Sequence, residues 1–356
     1  MKNKRKIMIS GNCGMMPSAM TDFFIKNNSD EYDVYGADDF SGSYRENLNP
    51  ECNFTEMDLR NGPNVREYFN KNFSDGIDTL VVGTACAHEI RSYFSPLYNA
   101  SINDDCAKNC ITYAIEHGVR HILYFSSMAR YGNGIVMDGN SSVLMRQPLP
   151  FRESFVPAPC DPYACSKVYI ETFLKALQKV HNFTYTIIVP HNCFSPRQYV
   201  DVYRNVIAIW MNLILMDKDC YIYGSGLNER AISWVDDFNP PICQSIFKPA
   251  AWNQTINVGG DIHKTLNEWY DLVCKVSDCT KKAIHIKVRP GEVDKAYCNH
   301  SKAQLLLGFE NKVPVEDALR EMWQYFKQKG PREFKYINEF EINSDKIPET
   351  WKNRLF

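Results

Sequence analysis

The feature that most constrains this chain is the alternation, over its first 190 residues, of short apolar runs with stretches of helical spacing. Residues 6–10, 33–37, 79–82 and 121–125 read as strands without a polar face, and residues 18–26, 64–72 and 96–117 read as helices between them. Strands that are apolar on both faces must be covered on both, and helices inserted between successive strands supply that cover. The expected class is therefore α/β, a doubly wound parallel sheet. Within residues 161–181, Ile170, Phe173, Leu174 and Leu177 recur at i, i+3, i+4 and i+7, an amphipathic helix, and residues 185–189 read as a further buried strand. After Asn192 the loops lengthen, with helical pieces at 204–216, 266–276 and 315–328 among short strands such as 220–223. The expected organisation is a sheet domain over residues 1–190 and a smaller α/β lobe over 191–330. The chain is expected to return to the sheet near 231–260, and a charged, aromatic extension over 331–356 shows no period.

Composition excludes several partners. The 356 residues are 44% hydrophobic and 23% charged, with 40 Lys and Arg against 42 Asp and Glu. A formal charge of −2 provides no basic field for nucleic acid or an anionic membrane. The most apolar stretch, 206–216, is interrupted by Asn212 and falls short of the roughly 20 residues that span a bilayer. A basic start at residues 1–5 precedes an apolar run, 7–9, that is too short for a secretory signal. The 13 cysteines lack C-x-x-C pairs. Cys106/Cys110 and Cys160/Cys165 come near, but no histidine cluster completes a zinc pattern, so no metal is expected. The thiols read as reduced packing residues of a cytoplasmic protein.

The first strand runs into Gly11-Asn12-Cys13-Gly14-Met15-Met16-Pro17. A glycine turn between strand and helix lets backbone N–H groups approach a pyrophosphate, whose charge the helix dipole favours. Asp38 ends the second strand, where a carboxylate accepts hydrogen bonds from an adenosine ribose and repels a 2′-phosphate, selecting NAD over NADP. The sheet is thus expected to be Rossmann-type, with NAD as cofactor. Pro17 stands where a third glycine is usual; it suits a first helical turn but forbids the closest backbone approach. Further on, Tyr163-Ala164-Cys165-Ser166-Lys167 puts a phenol and an ammonium at i and i+4 on one helix face. Such an ammonium favours the phenolate, lowering a Tyr pKa from about 10 and making a general base. Ser126 and Ser127 end the strand at 121–125, at the carboxyl edge where parallel sheets bind ligands. Tyr325 to Lys329 repeats the Tyr-x-x-x-Lys spacing in a polar helix and reads as a chance match.

In order along the chain, the glycine turn, Asp38-Asp39-Phe40-Ser41-Gly42, Asp58-Leu59-Arg60, Phe125-Ser126-Ser127-Met128-Ala129 and Tyr163…Lys167 resemble the extended short-chain dehydrogenase/reductases. Among these the chain is most similar to the NAD-dependent epimerase/dehydratase branch and its UDP-glucose 4-epimerase-like members. The resemblance continues through Pro190-His191-Asn192-Cys193-Phe194-Ser195-Pro196-Arg197-Gln198, Tyr203-Arg204-Asn205-Val206-Ile207, Ile222-Tyr223-Gly224-Ser225-Gly226…Arg230 and Arg289-Pro290-Gly291-Glu292, covering about residues 6–327. It implies that Tyr163 takes a proton from a sugar hydroxyl and that Ser127 bonds the reacting oxygen. Lys167 would hold the nicotinamide ribose and depress the phenol. As cofactor contacts it implies Gly11, Gly14, Met15 and Met16 at the phosphate turn, with Asp38, Asp39, Phe40 and Ser43 after the second strand. Asp58 and Leu59 would meet the adenine, Gly83, Thr84 and Ala85 the body of the cofactor, and His191 the nicotinamide side. For a nucleotide sugar it implies contacts from Asn192 and Asn205, Tyr221 and Tyr223 beside the base, Arg230 and Arg289 as a diphosphate clamp, and Glu292 on the nucleotide ribose. Paired arginines suit a diphosphate because of their bidentate donors. The resemblance also implies a homodimer, paired through the stretches at 96–117 and 161–181.

Residues after the serine separate the reactions of this family. A sugar-nucleotide 4,6-dehydratase needs an Asp-Glu pair where Met128 and Ala129 stand, and a 3,5-epimerase needs a cysteine where Ala129 stands. The oxidation–reduction apparatus remains. The expectation is an NAD-dependent 4-epimerase of a nucleotide sugar, a UDP-hexose, working through a transient 4-keto sugar and bound NADH. A 4-keto sugar reductase or dehydrogenase, which would consume cofactor, and a non-catalytic NAD-binding protein are the alternatives. Against the family pattern, Ile102 takes the position of a cofactor-binding asparagine with Asn103 beside it. Val189 replaces an arginine, Ser195 a glycine, and Arg130 a small apolar residue. Gly132-Asn133-Gly134…Asn140-Ser141-Ser142 reads as an inserted surface loop rather than a lid.

Overall fold

A computed structural model describes residues 4–28, 30–137 and 142–356. Asn140 and Ser141 of the expected insertion, and residues 1–3 of the basic start, lie outside the described residues. Strand β1 (Arg5–Ser10) leads through the glycine turn into helix α1 (Met15–Asn28) and strand β2 (Tyr32–Asp38), followed by β3 (Asn53–Glu56), α2 (Gly62–Asn72) and β4 (Thr79–Val82). Then come α3 (Cys106–Glu116), β5 (His121–Phe125), α4 (Pro162–Gln178) and β6 (Thr184–Pro190). The second half adds α5 (Val206–Leu215), α6 (Val235–Ser245), β7 (Gln254–Val258), α7 (Leu266–Ser277) and α8 (Val315–Lys329).

The seven strands form one parallel sheet in the order β7-β6-β5-β4-β1-β2-β3, a Rossmann-type arrangement. Side chains alternate between its two faces. Ile7, Ile9, Val81 and Leu123 join one apolar cluster with Phe24 and Phe238, while Met8, Leu80, Val82 and Ile122 join the other with Phe69 and Leu174. The direction of chain progression reverses between β1 and β4, which opens a crevice at their carboxyl ends. Local signals start the helices around it. Asp161 caps α4, accepting from Ala164 N–H at 2.8 Å, and Pro162 occupies the first turn.

Several elements differ from what the sequence pattern predicts. The helix expected over 96–117 is interrupted: a turn of π-helix spans Ser101–Asp105 between Pro96–Ala100 and α3. Strand β3 is an edge strand with mostly exposed side chains, so it carries no apolar run. Helix α6 forms despite internal Pro240 and Pro241, because Val235, Phe238 and Ile242 pack into the core beside α1. The inserted segment includes an exposed antiparallel hairpin, Ile135–Met137 with Val143–Arg146.

The second lobe holds Tyr221–Tyr223 paired with Ile284–Ile286, and Glu229–Ala231 between His263–Thr265 and Lys295–Ala296. Residues 331–356 return across both halves. The Asn212 side chain bonds the main chain of Arg332, Trp351 Nε1 donates to Val202 O, and the Glu341 carboxylate accepts from the N–H groups of Leu97 and Tyr98. A segment that binds through scattered single contacts needs no period, which is why none is visible in its sequence. Among the described residues no helix is long and apolar enough to cross a membrane.

Candidate active site

One cavity of about 690 Å³ runs from the carboxyl ends of β1 and β4 to the second lobe. Its first end is built largely from main chain. Gly11 adopts φ +65°, and a Cβ there would stand 3.0 Å from Thr84, so glycine serves both the turn and the close approach. A side chain on Gly83 would come within 2.6 Å of the Pro17 ring and 2.7 Å of the Ser10 carbonyl. Pro17 therefore packs into the wall against Gly83 and leaves the Gly11–Gly14 turn facing the cavity. Asp38 is buried at the end of β2. Its carboxylate accepts from Cys13 N–H at 3.1 Å, Phe40 N–H at 2.8 Å and the Ser43 hydroxyl at 2.8 Å. Burial pushes its pKa up, and these three hydrogen bonds oppose the rise. Met15, Met16, Asp39, Asp58, Leu59, Thr84 and Ala85 complete this end. A main-chain cradle that a Cβ would fill, beside a carboxylate at the end of β2, fits a dinucleotide.

Phe40 departs from its expected place. With φ 58° its N–H serves Asp38 while its ring turns outward against Phe54 and under the Arg45 guanidinium, and it does not line the cavity. The asparagine position also shifts. Ile102 lines the cavity, whereas buried Asn103 holds the strand-end loop, accepting from Cys86 N–H and donating to Cys86 O. The π-turn adds a residue to the helix and so re-aims the side chains that follow it.

At mid-cavity, Ser127 follows β5, and its hydroxyl accepts from Ala129 N–H at 3.1 Å. Tyr163 and Lys167 are buried one turn apart on α4. The expected lowering of the phenol by Lys167 is not what this geometry produces. Lys167 Nζ donates to Phe125 O at 3.0 Å and lies 5.7 Å from the centre of the Tyr163 ring. Burial, joined by the charge of Glu89, raises the phenol above its ordinary range, with Arg204 and Ser127 opposing. Burial lowers Lys167 to about 8, and the nearby Arg204 adds to the drop. Arg204 is thus a cavity-lining cation, a role that its place within the Tyr203–Ile207 motif does not by itself signal.

The far end is built from side chains. Arg230 and Arg289 meet on Glu292, at 2.9 and 2.5 Å, and the Arg289 guanidinium covers the Tyr223 ring at 5.1 Å. Both oxygens of Glu292, expected on a ribose, are thus engaged in holding the two arginines side by side. Asn205 begins α5 with φ 64°, and Asn192, with φ 39°, donates to Ala231 O. His191 is buried, which lowers it to about 3 and leaves the ring neutral. Residues 331–356 supply an unforeseen wall: the Tyr223 hydroxyl meets Thr350 Oγ1 at 2.5 Å, and the Tyr221 ring lies against Phe356. Every other residue expected at the site lines this one cavity. Arg130 has a partner that accounts for its charge, the buried Glu171 on α4 at 2.8 Å, which also accepts from Ser126. Arg130 in turn bonds Tyr131, whose hydroxyl reaches Asn257 on β7.

The sequence profile of the NAD dependent epimerase/dehydratase family matches residues 7–259. The chain belongs to this family. Its members use NAD, and the Gly11–Gly14 cradle with Asp38 suits that cofactor. The chain is 22% identical over 326 residues to a UDP-glucose 4-epimerase of Mycolicibacterium smegmatis, covering 91% of this chain and 99% of that protein. It is 22% identical over 335 residues to a dTDP-D-glucose 4,6-dehydratase of Mus musculus, covering 91% of this chain and 89% of the other. Among solved structures, a UDP-glucose 4-epimerase of Thermotoga maritima with UDP-glucose superimposes with a TM-score of 0.81 at 24% identity, over 91% of this chain and 99% of that one. The family contains nucleotide-sugar epimerases and dehydratases, so membership leaves the reaction to the site.

Proposed function

We propose that the protein is an NAD-dependent nucleotide-sugar 4-epimerase acting on a UDP-hexose. The observation that carries this reading is the pair of residues after Ser127. Met128 and Ala129 both line the cavity and neither can move a proton, so an elimination lacks its acid and base where the family places them. When bound, NAD supplies the acceptor and donor of hydride for the sugar carbon. In this reading Tyr163 takes the O4 proton as base, and Ser127 steadies the same oxygen. Arg204 contributes positive charge that favours the phenolate, and the positive charge of a nicotinamide acts in the same sense. Arg230 and Arg289, held by Glu292, grip the diphosphate while the hexose turns and presents its other face as a 4-keto sugar.

Residues 1–190 with β7 form the NAD domain in this reading, and residues 191–330 with the extension hold the substrate. All 13 cysteines are free thiols, which suits a reducing, cytoplasmic location. Exposed Tyr169 on α4 and Leu97 suit a homodimer through that face. The test is to incubate the purified protein, without added cofactor, with UDP-glucose, UDP-galactose and their N-acetyl forms. Interconversion within a pair is the expected result. A protein that carries NAD and converts none of the four contradicts the reading, and one that turns over only with stoichiometric NAD(H) is a reductase or dehydrogenase.

A further inference from the structure

The loop after β4 carries a group of side chains that the proposed reaction does not use. Cys86 Sγ lies 3.0 Å from His88 Nδ1, and His88 Nε2 lies 2.9 Å from Asp201 Oδ2. Thiol, imidazole and carboxylate stand in the order of a nucleophile, its base and the group that orients the base. Each member is fixed from outside the group. The Cys86 main chain is bonded by Asn99 and Asn103. The second oxygen of Asp201 accepts from the N–H groups of Tyr203 and Arg204. The Tyr203 ring meets the His88 ring edge-on at 5.7 Å. All three residues line the cavity, and Cys86 is otherwise buried, so the cleft is the side from which a small molecule would approach the sulfur.

We propose that Cys86 is a covalent modification site, a nucleophilic thiol served by His88 and Asp201 that takes a small, soft carbon electrophile entering the cleft. The electrostatics agree with the geometry. Burial alone would raise the Cys86 thiol, but the charge and hydrogen bond of His88, with Arg91 behind them, outweigh it and hold the thiol below its ordinary range. Burial would lower His88, but Cys86 and Asp201 raise it to about 9. The other charged groups facing this cluster are Arg204 beside Asp201 and Lys167 from α4. Cys13, beside the glycine turn, shows the contrast: without an imidazole partner, burial pushes it up to about 12. In the reaction with iodoacetamide a sulfur–carbon bond forms as the carbon–iodine bond breaks, and iodide leaves with the electron pair. His88 holds the thiol proton until solvent takes it, and nothing is oxidised or reduced.

The experiment treats the full-length protein as purified with limiting iodoacetamide at pH 6.0 and 8.0, with free glutathione in the same tube, and quantifies the Cys86 peptide by mass. An ordinary thiol with a pKa of about 8.5 loses more than tenfold in rate between these values. The Cys86 rate is expected to fall by a clearly smaller factor than that of glutathione, and Asp201→Asn is expected to lower its rate at pH 6.0 by about tenfold. A Cys86 that stays unlabelled, or whose rate falls in parallel with glutathione, overturns the proposal. The wild-type pH comparison decides the matter by itself if the variant does not fold.

Discussion

At the cofactor end of the cleft the wall is main chain and short side chains from consecutive strand ends, Gly11, Gly14, Gly83 and Asp38. At the far end it is long side chains from distant segments, with Arg230 and Arg289 joined on Glu292 and Tyr223 anchored by Thr350 of the C-terminal extension. The first end depends on backbone conformation, which glycines and turn lengths encode locally. The second depends on which segments meet, which no local window contains. The proposed epimerase would gain from this division, with a rigid cradle for the dinucleotide and arginine forks for the diphosphate of a sugar that turns.

Variants can break the comparison or sharpen it. Tyr163→Phe stands between the two ends and should cost the most, about 10³-fold in turnover, while NAD content measured by absorbance stays unchanged. Arg130→Met leaves buried Glu171 with only the partly exposed Lys175 ammonium, 3.7 Å away, and should destabilise the sheet by up to about 3–5 kcal/mol in urea unfolding. Adding Glu171→Gln should recover part of that loss. Arg289→Ala should raise KM for the nucleotide sugar roughly 10- to 100-fold, the worth of charge-assisted hydrogen bonds of about 1.5–3 kcal/mol, with NAD binding unaffected. Equal losses of NAD and substrate binding would show that the two ends are not separable. The smallest effect expected is in the pH profile. Burial places Lys167 at about 8, below the ordinary lysine value. Its ammonium is therefore present below that pH and lost above it, and kcat should fall severalfold as pH rises through about 8, with KM changing little.

The same division governs how much of the molecule is legible in its sequence. Residues 79–82 and 121–125 are strands over those same residues because continuous apolar runs admit few other fates. The i, i+4 spacing of Tyr163 and Lys167 is enough to put them on a shared helix face. It does not fix the direction of the ammonium, which depends on the carbonyl of Phe125 on a different element. Helix α6 is hidden by Pro240 and Pro241, whose breaking tendency is overridden by burial of Phe238 and Ile242. The π-turn at Ser101–Asp105 shifts an asparagine by one place, a difference that periodicity cannot register. Cys86 and His88 are neighbours in sequence, but their carboxylate partner follows His88 by 113 residues. Glu292 reads as a ligand contact in the sequence because only the fold shows that it holds two arginines.

In the proposed reaction hydrogen leaves and returns to one sugar carbon within a single cleft, with Tyr163 handling only the proton. A UDP-hexose carrying deuterium at C4, incubated with the protein and no added cofactor, tests this most directly by mass and NMR analysis of both epimers. Interconversion with deuterium retained at C4 is the expected result. Interconversion with deuterium lost to solvent, or recovery of the labelled sugar unchanged from a protein that holds NAD, would contradict it.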